Sequence, residues 1–266
     1  MPWTDDTRPL YSRARGHYPS DCSDEEWALI EPHLPRPSRF GRPVKWPMRL
    51  IWDALQYVAE TGCSWRHLPF DFPPYSTVQR YFYRWRDTGL FETINHMLVA
   101  DVRVLMGREA SPSAGVIDSQ SVKTTESGGF SGYDAGKKIK GRKRHIVTDT
   151  NGLMVGCVVH KADIQDRDGA PQVLASIRFS YPWMRHIFAD GGYAGQKLEK
   201  ALEKCGEWTI EIIRRSDKAK GFEILPRRWV VERTFAWLGR CRRLAKDWEK
   251  LIESSKAWIF LVYPDS

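Results

Sequence analysis

The hydrophobic pattern of this chain changes near residue 113, and that change limits the possible folds more than any other feature. Before it, apolar residues recur at helical spacing; after it, short apolar runs alternate with turn residues and helical stretches. The second part is typical of a strand, a two-stranded hairpin around Asn151-Gly152, a helix, a strand, a helix, a strand and a long helix over 227–246. This order predicts an α/β fold with a mixed sheet.

The part before residue 113 carries signals for four short helices. Ser23 and Glu26 have the spacing of a capping box, which predicts the start of the first. Pro47 opens the second and Gly62 closes it, while the third begins near Ser76. A fourth runs through FETINHMLVADVRVL. Helices this short, joined by brief connections, suit a helix-turn-helix-like module.

The third helix is both basic and aromatic, and we expect its Arg80 and Arg84 to contact DNA. The predicted organisation is a loose tail over 1–20, a small helical DNA-binding-like domain over 21–108 and a second domain over 109–266. A plain helical bundle with solvated arginines is the alternative.

The overall charge also favours a polyanionic partner. Lysine and arginine total 41 against 33 acidic residues, which gives a net charge of +8. The five cysteines form no C-x-x-C pair and predict reduced thiols. No stretch approaches the length of a membrane span. We therefore expect a cytoplasmic protein without a membrane partner.

A polar tract over 119–142 predicts a long connection without regular structure, and its end is strongly basic. We expect a loop that contacts phosphate beside an active site, with Lys123 and Lys143 among its DNA-binding residues. A solvated turn is the alternative.

Three acidic residues stand out against this basic background. Asp118 and Asp190 each follow an apolar run that predicts a buried strand, and Glu232 is the only acidic residue in 226–246. Two carboxylates about 4 Å apart repel by about 4 kcal/mol at an effective dielectric constant of about 20, unless a cation lies between them. Oxygen ligands favour Mg²⁺ or Mn²⁺ over zinc, and two such ions suit displacement at phosphorus. Each aspartate could instead be a turn residue, and Glu232 could simply pair with Arg228.

Several long blocks lie along most of the chain: VIDSQSVKTTE, GYDAGKKIKGRKRHIVTDTNGL, HKADIQDRDGA, FADGGYAG and RRWVVERTFAWLGRCRRL, with EEWALIEPHLP, TGCSWRHLP and FPPYSTVQRYFYRW before them. Together these blocks resemble bacterial insertion-sequence transposases of the DDE type, from the superfamily that joins insertion-sequence families four and five. The resemblance implies a ribonuclease-H-like catalytic core with Asp118, Asp190 and Glu232 as catalytic metal ligands. It also matches Arg228 to an arginine four residues before the glutamate.

The resemblance implies further contacts with DNA. A lysine seven residues after the glutamate in part of the superfamily meets Gly239 here, so Arg240 or Arg243 is expected to take its phosphate-contacting role. Arg233 completes the basic residues that we expect this helix to direct to DNA.

The implied activity is binding of double-stranded DNA at terminal inverted repeats, followed by Mg²⁺-dependent cleavage and strand transfer with two ions. A homodimer in the synaptic complex and association with the nucleoid follow from it. The alternatives are a nuclease without strand transfer, an inactive DNA-binding relic and an α/β enzyme unrelated to nucleic acid. The ending WIFLVYPDS differs from similar members and indicates a truncation or a frameshift, either of which would affect competence for transposition.

Overall fold

A computed structural model describes residues 18–36, 43–126, 129–213 and 228–262 of the chain. The first part forms four helices, as predicted: α1 (Asp24–Ile30), α2 (Met48–Thr61), α3 (Tyr75–Asp87) and α4 (Leu90–Leu105). The predicted capping box is confirmed, because the Ser23 hydroxyl accepts from the Glu26 amide and the Glu26 carboxylate accepts from the Ser23 amide. Helix α2 ends at Gly62, whose φ of 67° is left-handed and favours glycine.

The second part forms a six-stranded mixed sheet, which confirms the predicted class. The strands are β1 (Ala114–Lys123), β2 (Gly132–Asp134), β3 (Ile139–Asp149), β4 (Met154–Lys161), β5 (His186–Ala189) and β6 (Thr209–Ile212). Strand β3 is antiparallel to β1, β2 and β4. Strand β5 is parallel to both β1 and β6. The predicted hairpin joins β3 and β4, with Gly152 at a φ of 96°.

Four further helices cover the sheet: α5 (Asp166–Ile177), α6 (Gln196–Leu202), α7 (Trp229–Arg240) and α8 (Ile252–Val262). Helices α5 and α6 pack on one face with the core side chains of Ile117, Ile187 and Ala189. The other face, which carries Val116 and Phe188, packs with α1–α4, α7 and α8. The sheet is therefore the middle layer, and successive residues of a strand contribute to opposite layers.

The amino-terminal helices share their core with the sheet. Phe82 of α3 stacks on Trp258 of α8, with ring centroids 4.3 Å apart, and both side chains are fully buried. The same cluster continues into Ile146 of β3 and Val231 of α7. The division of the chain near residue 108 stays a prediction, since one continuous core spans it.

Two expectations about secondary structure were wrong. The tract over 119–142 is largely ordered as strands, because β1 continues to Lys123, β2 follows at Gly132 and β3 begins at Ile139. The long helix over 227–246 is shorter than predicted, since α7 ends at Arg240 and Cys241 is extended. Across the described ranges, no helix is long and apolar enough to cross a membrane.

Candidate active site

Asp118 of β1 and Asp190, the residue directly after β5, occupy equivalent positions relative to two neighbouring parallel strands. Val116 of β1 pairs with Phe188 of β5, and each aspartate lies two residues further along the chain. Side chains two residues apart share a face, so both carboxylates lie on the side that packs against α7. Asp118 is inside β1 and not at its end as expected, but β1 parts from β5 after Val116. The structure therefore places these two acids near each other, and their role in catalysis stays a prediction.

The Asp118 carboxyl group is poorly solvated and faces a like charge. Burial, and after it the charge of Asp190, raise its pKa to about 6. The Ser119 amide donates to its Oδ1 atom at 2.7 Å and opposes this shift, as do the charges of Arg228 and Lys137. The site therefore concentrates negative charge that it only partly compensates.

The Asp190 carboxylate is fixed by the turn that follows it. Its Oδ1 atom accepts from the Gly192 amide at 2.8 Å, which caps a short 3-10 helix over Gly191–Tyr193. A Cβ atom at Gly192 would lie 3.0 Å from that oxygen, so glycine lets the amide approach. Each aspartate thus uses one oxygen for a backbone amide.

Glu232 lies in the first turn of α7, where the helix dipole favours a carboxylate. Its Oε1 atom is 3.4 Å from the Nη2 atom of Arg228, so the simple helical pair considered from the sequence exists. The same Nη2 atom is 3.7 Å from Oδ2 of Asp190. Because the charge of Arg228 also lowers the pKa of Asp118, this one guanidinium is close to all three acids.

The donor set suits a hard divalent cation, since three carboxylates supply oxygen ligands. Within the described ranges, however, no group of three or more His, Cys, Asp or Glu side chains is arranged tightly enough to hold a metal ion. Arg228 pairs with both Asp190 and Glu232 and partly offsets their charge. In this structure the cation next to the acids is Arg228, and the oxygen ligands of these acids would suit Mg²⁺ or Mn²⁺.

The structure adds a fourth acid that the sequence analysis did not single out. Asp166 is the first residue of α5, and its Oδ1 atom accepts from Ser119 Oγ and from Lys143 Nζ, both at 2.8 Å. Burial opposes its ionisation, but these two hydrogen bonds outweigh it and lower the pKa of Asp166. The available signal was its place in the block HKADIQDRDGA, between a strand and the helix that follows it.

The residues predicted to bind DNA fall into two groups. One group is exposed: Arg80, Arg84, Lys123 and Arg240. The other already pairs with groups of the protein: Arg228, Lys143, Arg233 and Arg243. Lys143 is only 4% exposed and also donates to the Ile164 carbonyl, so its predicted DNA contact gains no support from its position.

Arg233 and Arg243 are also occupied by protein groups. Arg233 donates to the Asn151 carbonyl at 2.7 Å, and its guanidinium lies 4.6 Å and 4.5 Å from the ring centroids of Trp229 and Trp237. Arg243 donates to Glu249 and lies over Trp258. The basic tract does reach the site through Lys137, whose ammonium donates to the Ser119 carbonyl at 3.2 Å.

Comparison with known families identifies the class. Residues 109–263, more than half of the chain, match the family model described as transposase DDE domain. Residues 22–95 match a second model, described as putative transposase of IS4/5 family. The chain therefore belongs to the insertion-sequence transposases of the DDE family, and its mixed α/β sheet fits the core of that class.

Its relatives include mobile-element proteins. It is 31% identical over 128 residues to a putative transposase for insertion sequence element IS402 from Burkholderia cepacia, covering 46% of this chain and 60% of that protein. It is 30% identical over 106 residues to the uncharacterized protein y4sN from Sinorhizobium fredii, covering 39% and 78% respectively. An uncharacterized protein of 16.2 kDa from IS402 of Burkholderia cepacia is 32% identical over 111 residues, covering 40% and 74%. No solved structure matches significantly.

Proposed function

We propose that this chain is a DNA transposase that binds the terminal inverted repeats of its element and catalyses metal-dependent strand cleavage and strand transfer. Asp118, Asp190 and Glu232 are its catalytic residues and metal ligands. The observation that carries this proposal is the single guanidinium of Arg228, which contacts Asp190 and Glu232 beside Asp118. It links the helix acid to the two strand acids at one place.

The metal ligands are held ready by the backbone. The Ser119 and Gly192 amides each engage the Oδ1 atom of one aspartate, and the Oδ2 atom of Asp190 faces Arg228 at 3.7 Å, where a metal ion would replace the guanidinium. When bound, two Mg²⁺ ions, or Mn²⁺, would neutralise the acids and supply the Lewis acidity that displacement at phosphorus needs. Glu232 is the most accessible of the three ligands, because 49% of its side chain is exposed.

Arg228 has a second role in the proposed reaction, which is to bind phosphate. Its side chain is only 17% exposed and, in the part of the chain that the structure describes, pairs with Asp190 and Glu232, so its charge is available once those carboxylates have another cation. A guanidinium matches the geometry of a phosphate well. Arg228 would then bind the scissile phosphate and orient it beside the acids.

Exposed cations supply the wider DNA surface in this proposal. Arg80 and Arg84 lie on α3, Lys123 at the end of β1 and Arg240 at the end of α7. The net charge of +8 favours such binding in general. Synapsis of two element ends requires at least a homodimer, which would associate with the nucleoid while bound.

The test is a reaction of the protein with linear DNA that carries the element's ends, a plasmid target and Mg²⁺. Joined products support transposition, nicks without joining favour the nuclease, and binding without either favours an inactive relic. The variant Glu232→Gln should bind DNA but neither cut nor join it. Glu253→Gln is the matched control, because Glu253 is also an exposed glutamate in the first turn of a helix, α8. Cleavage by Glu232→Gln at the rate of this control would overturn the three-acid site.

A further inference from the structure

A polar cluster lies behind the acids, on the opposite face of the sheet. Ser119 follows Asp118 directly, so its side chain is on the α5 face while that of Asp118 is on the α7 face. Its backbone amide donates to Asp118 Oδ1 at 2.7 Å, and its hydroxyl donates to Asp166 Oδ1 at 2.8 Å. One residue therefore connects Asp166 with a proposed catalytic acid through the thickness of the sheet.

Asp166 is also close to the turn that holds the second acid. A Cβ atom at Gly192 would lie 3.5 Å from Asp166 Oδ2, so the carboxylate lies beside this glycine. The Gly192 amide is the donor to Asp190 Oδ1 at 2.8 Å. Asp166 thus adjoins both backbone amides that orient the strand acids.

The fold holds Asp166 firmly in this position. The buried Lys143 ammonium donates to Asp166 Oδ1 and to the Ile164 carbonyl, both at 2.8 Å. A Cβ atom at Gly169 would lie 2.2 Å from His145, so glycine permits the close approach of α5 to the sheet. A buried charge pair costs desolvation and is weak evidence for stability by itself. The Lys143–Asp166 pair lies behind the proposed active site, and this position favours a role in orienting the catalytic acids.

We propose that Asp166 is a positioning residue for the metal site: through Ser119 it fixes the amide that orients Asp118, and through Gly192 it supports the amide that orients Asp190. This inference rests on the proposed function. Asp166 acts through these two amides and is not itself counted among the ligands. Outer groups that orient ligands typically change metal affinity by about 10- to 100-fold when they are removed.

Direct Mn²⁺ binding by the full chain, followed by the electron paramagnetic resonance signal of free Mn²⁺, tests the proposal without relying on activity. Asp166→Asn should weaken Mn²⁺ binding by about 10- to 100-fold. Ser119→Ala leaves the Lys143–Asp166 pair intact and should weaken binding by about tenfold for loss of the connecting hydroxyl alone. It also keeps the test valid if Asp166→Asn folds poorly.

The control is Asp168→Asn, two residues along the same helix turn. Asp168 pairs with Lys197 at 2.7 Å and should leave Mn²⁺ binding unchanged. The Mg²⁺ concentration for half-maximal DNA cleavage should shift with the binding constants, a change that partial unfolding alone does not produce. Suppose that the wild-type protein cuts DNA and that Asp166→Asn and Ser119→Ala both bind Mn²⁺ as tightly as it does. This result would overturn the positioning role of Asp166 and leave the proposed function intact. A wild-type protein that neither binds Mn²⁺ nor cuts DNA would overturn the proposed function and the inference together.

Discussion

Arg228 lies 3.7 Å from Asp190, although 37 intervening residues, α6 and β6 among them, separate the two in sequence. This contact changes the meaning of the Arg228–Glu232 pair, which alone would be an ordinary helical neighbour interaction. The Arg228 guanidinium therefore pairs with an acid next to the sheet and with an acid on α7 at the same time.

Arg228→Ala should lower the rate of DNA cleavage by about 10²- to 10³-fold, as expected for loss of a group that stabilises charge on the reacting phosphate. Binding of Mn²⁺ should be kept or become tighter, because a competing cation has been removed from the acids. Cleavage rates and Mn²⁺ titrations with the same preparation measure both effects. Arg178→Ala is the control, since Arg178 is exposed and lies over Phe179. Loss of Mn²⁺ binding in Arg228→Ala would contradict the assigned role.

Asp118 should make metal-free protein less stable at neutral pH. Burial, then the charge of Asp190, raises its pKa to about 6 from a usual 3.8, so the folded state binds its proton more tightly than the unfolded state does. Its stabilising contribution is complete below the unfolded pKa and is lost as pH rises through about 6. Asp118→Asn should therefore be more stable than wild type by about 1–3 kcal/mol at pH of about 8.

The measurement for Asp118 is urea unfolding in a chelator between pH of about 4 and about 8. The advantage of Asp118→Asn should narrow as the pH falls from about 6 towards about 4. A difference that is the same at every pH would show that the carboxyl group is not destabilised by its surroundings.

The strand acids were predictable because their signal is local. Each follows an apolar run that marks a buried strand, and Glu232 stands out as the one acid in a basic helix. The tract over 119–142 misled because its order depends on distant partners. Arg142, for example, is fully buried against Asp247, 105 residues away. Lys143 likewise pairs with Asp166, 23 residues further along the chain. From the sequence its charge indicated exposure to solvent or contact with DNA, because the position of this partner could not be seen there.

The stack of Phe82 on Trp258 should make the helices and the sheet unfold together. Both rings are buried and belong to one core that spans α3 and α8. Trp258→Ala should cost about 3–5 kcal/mol and keep a single cooperative transition. The control is Trp183→Ala, because Trp183 is 72% exposed and should change stability little. Two separate transitions in wild-type protein would instead favour an independent domain over 21–108.

The two groups of predicted DNA-binding residues should respond differently to salt. The plot of log affinity against log salt concentration has a negative slope, and each phosphate contact that is lost reduces the size of that slope by about 0.9. Arg80→Ala and Arg84→Ala should each show this loss with unchanged stability, because both side chains are exposed on α3.

Lys143→Ala should show the opposite behaviour. Its slope should stay that of wild type while its stability falls by about 3–5 kcal/mol, because Asp166 loses a buried partner. Fluorescence anisotropy with end DNA at several salt concentrations, beside urea unfolding, separates the two outcomes. A reduced slope for Lys143→Ala would restore its predicted DNA contact, and unchanged slopes for both arginine variants would remove α3 from the DNA surface.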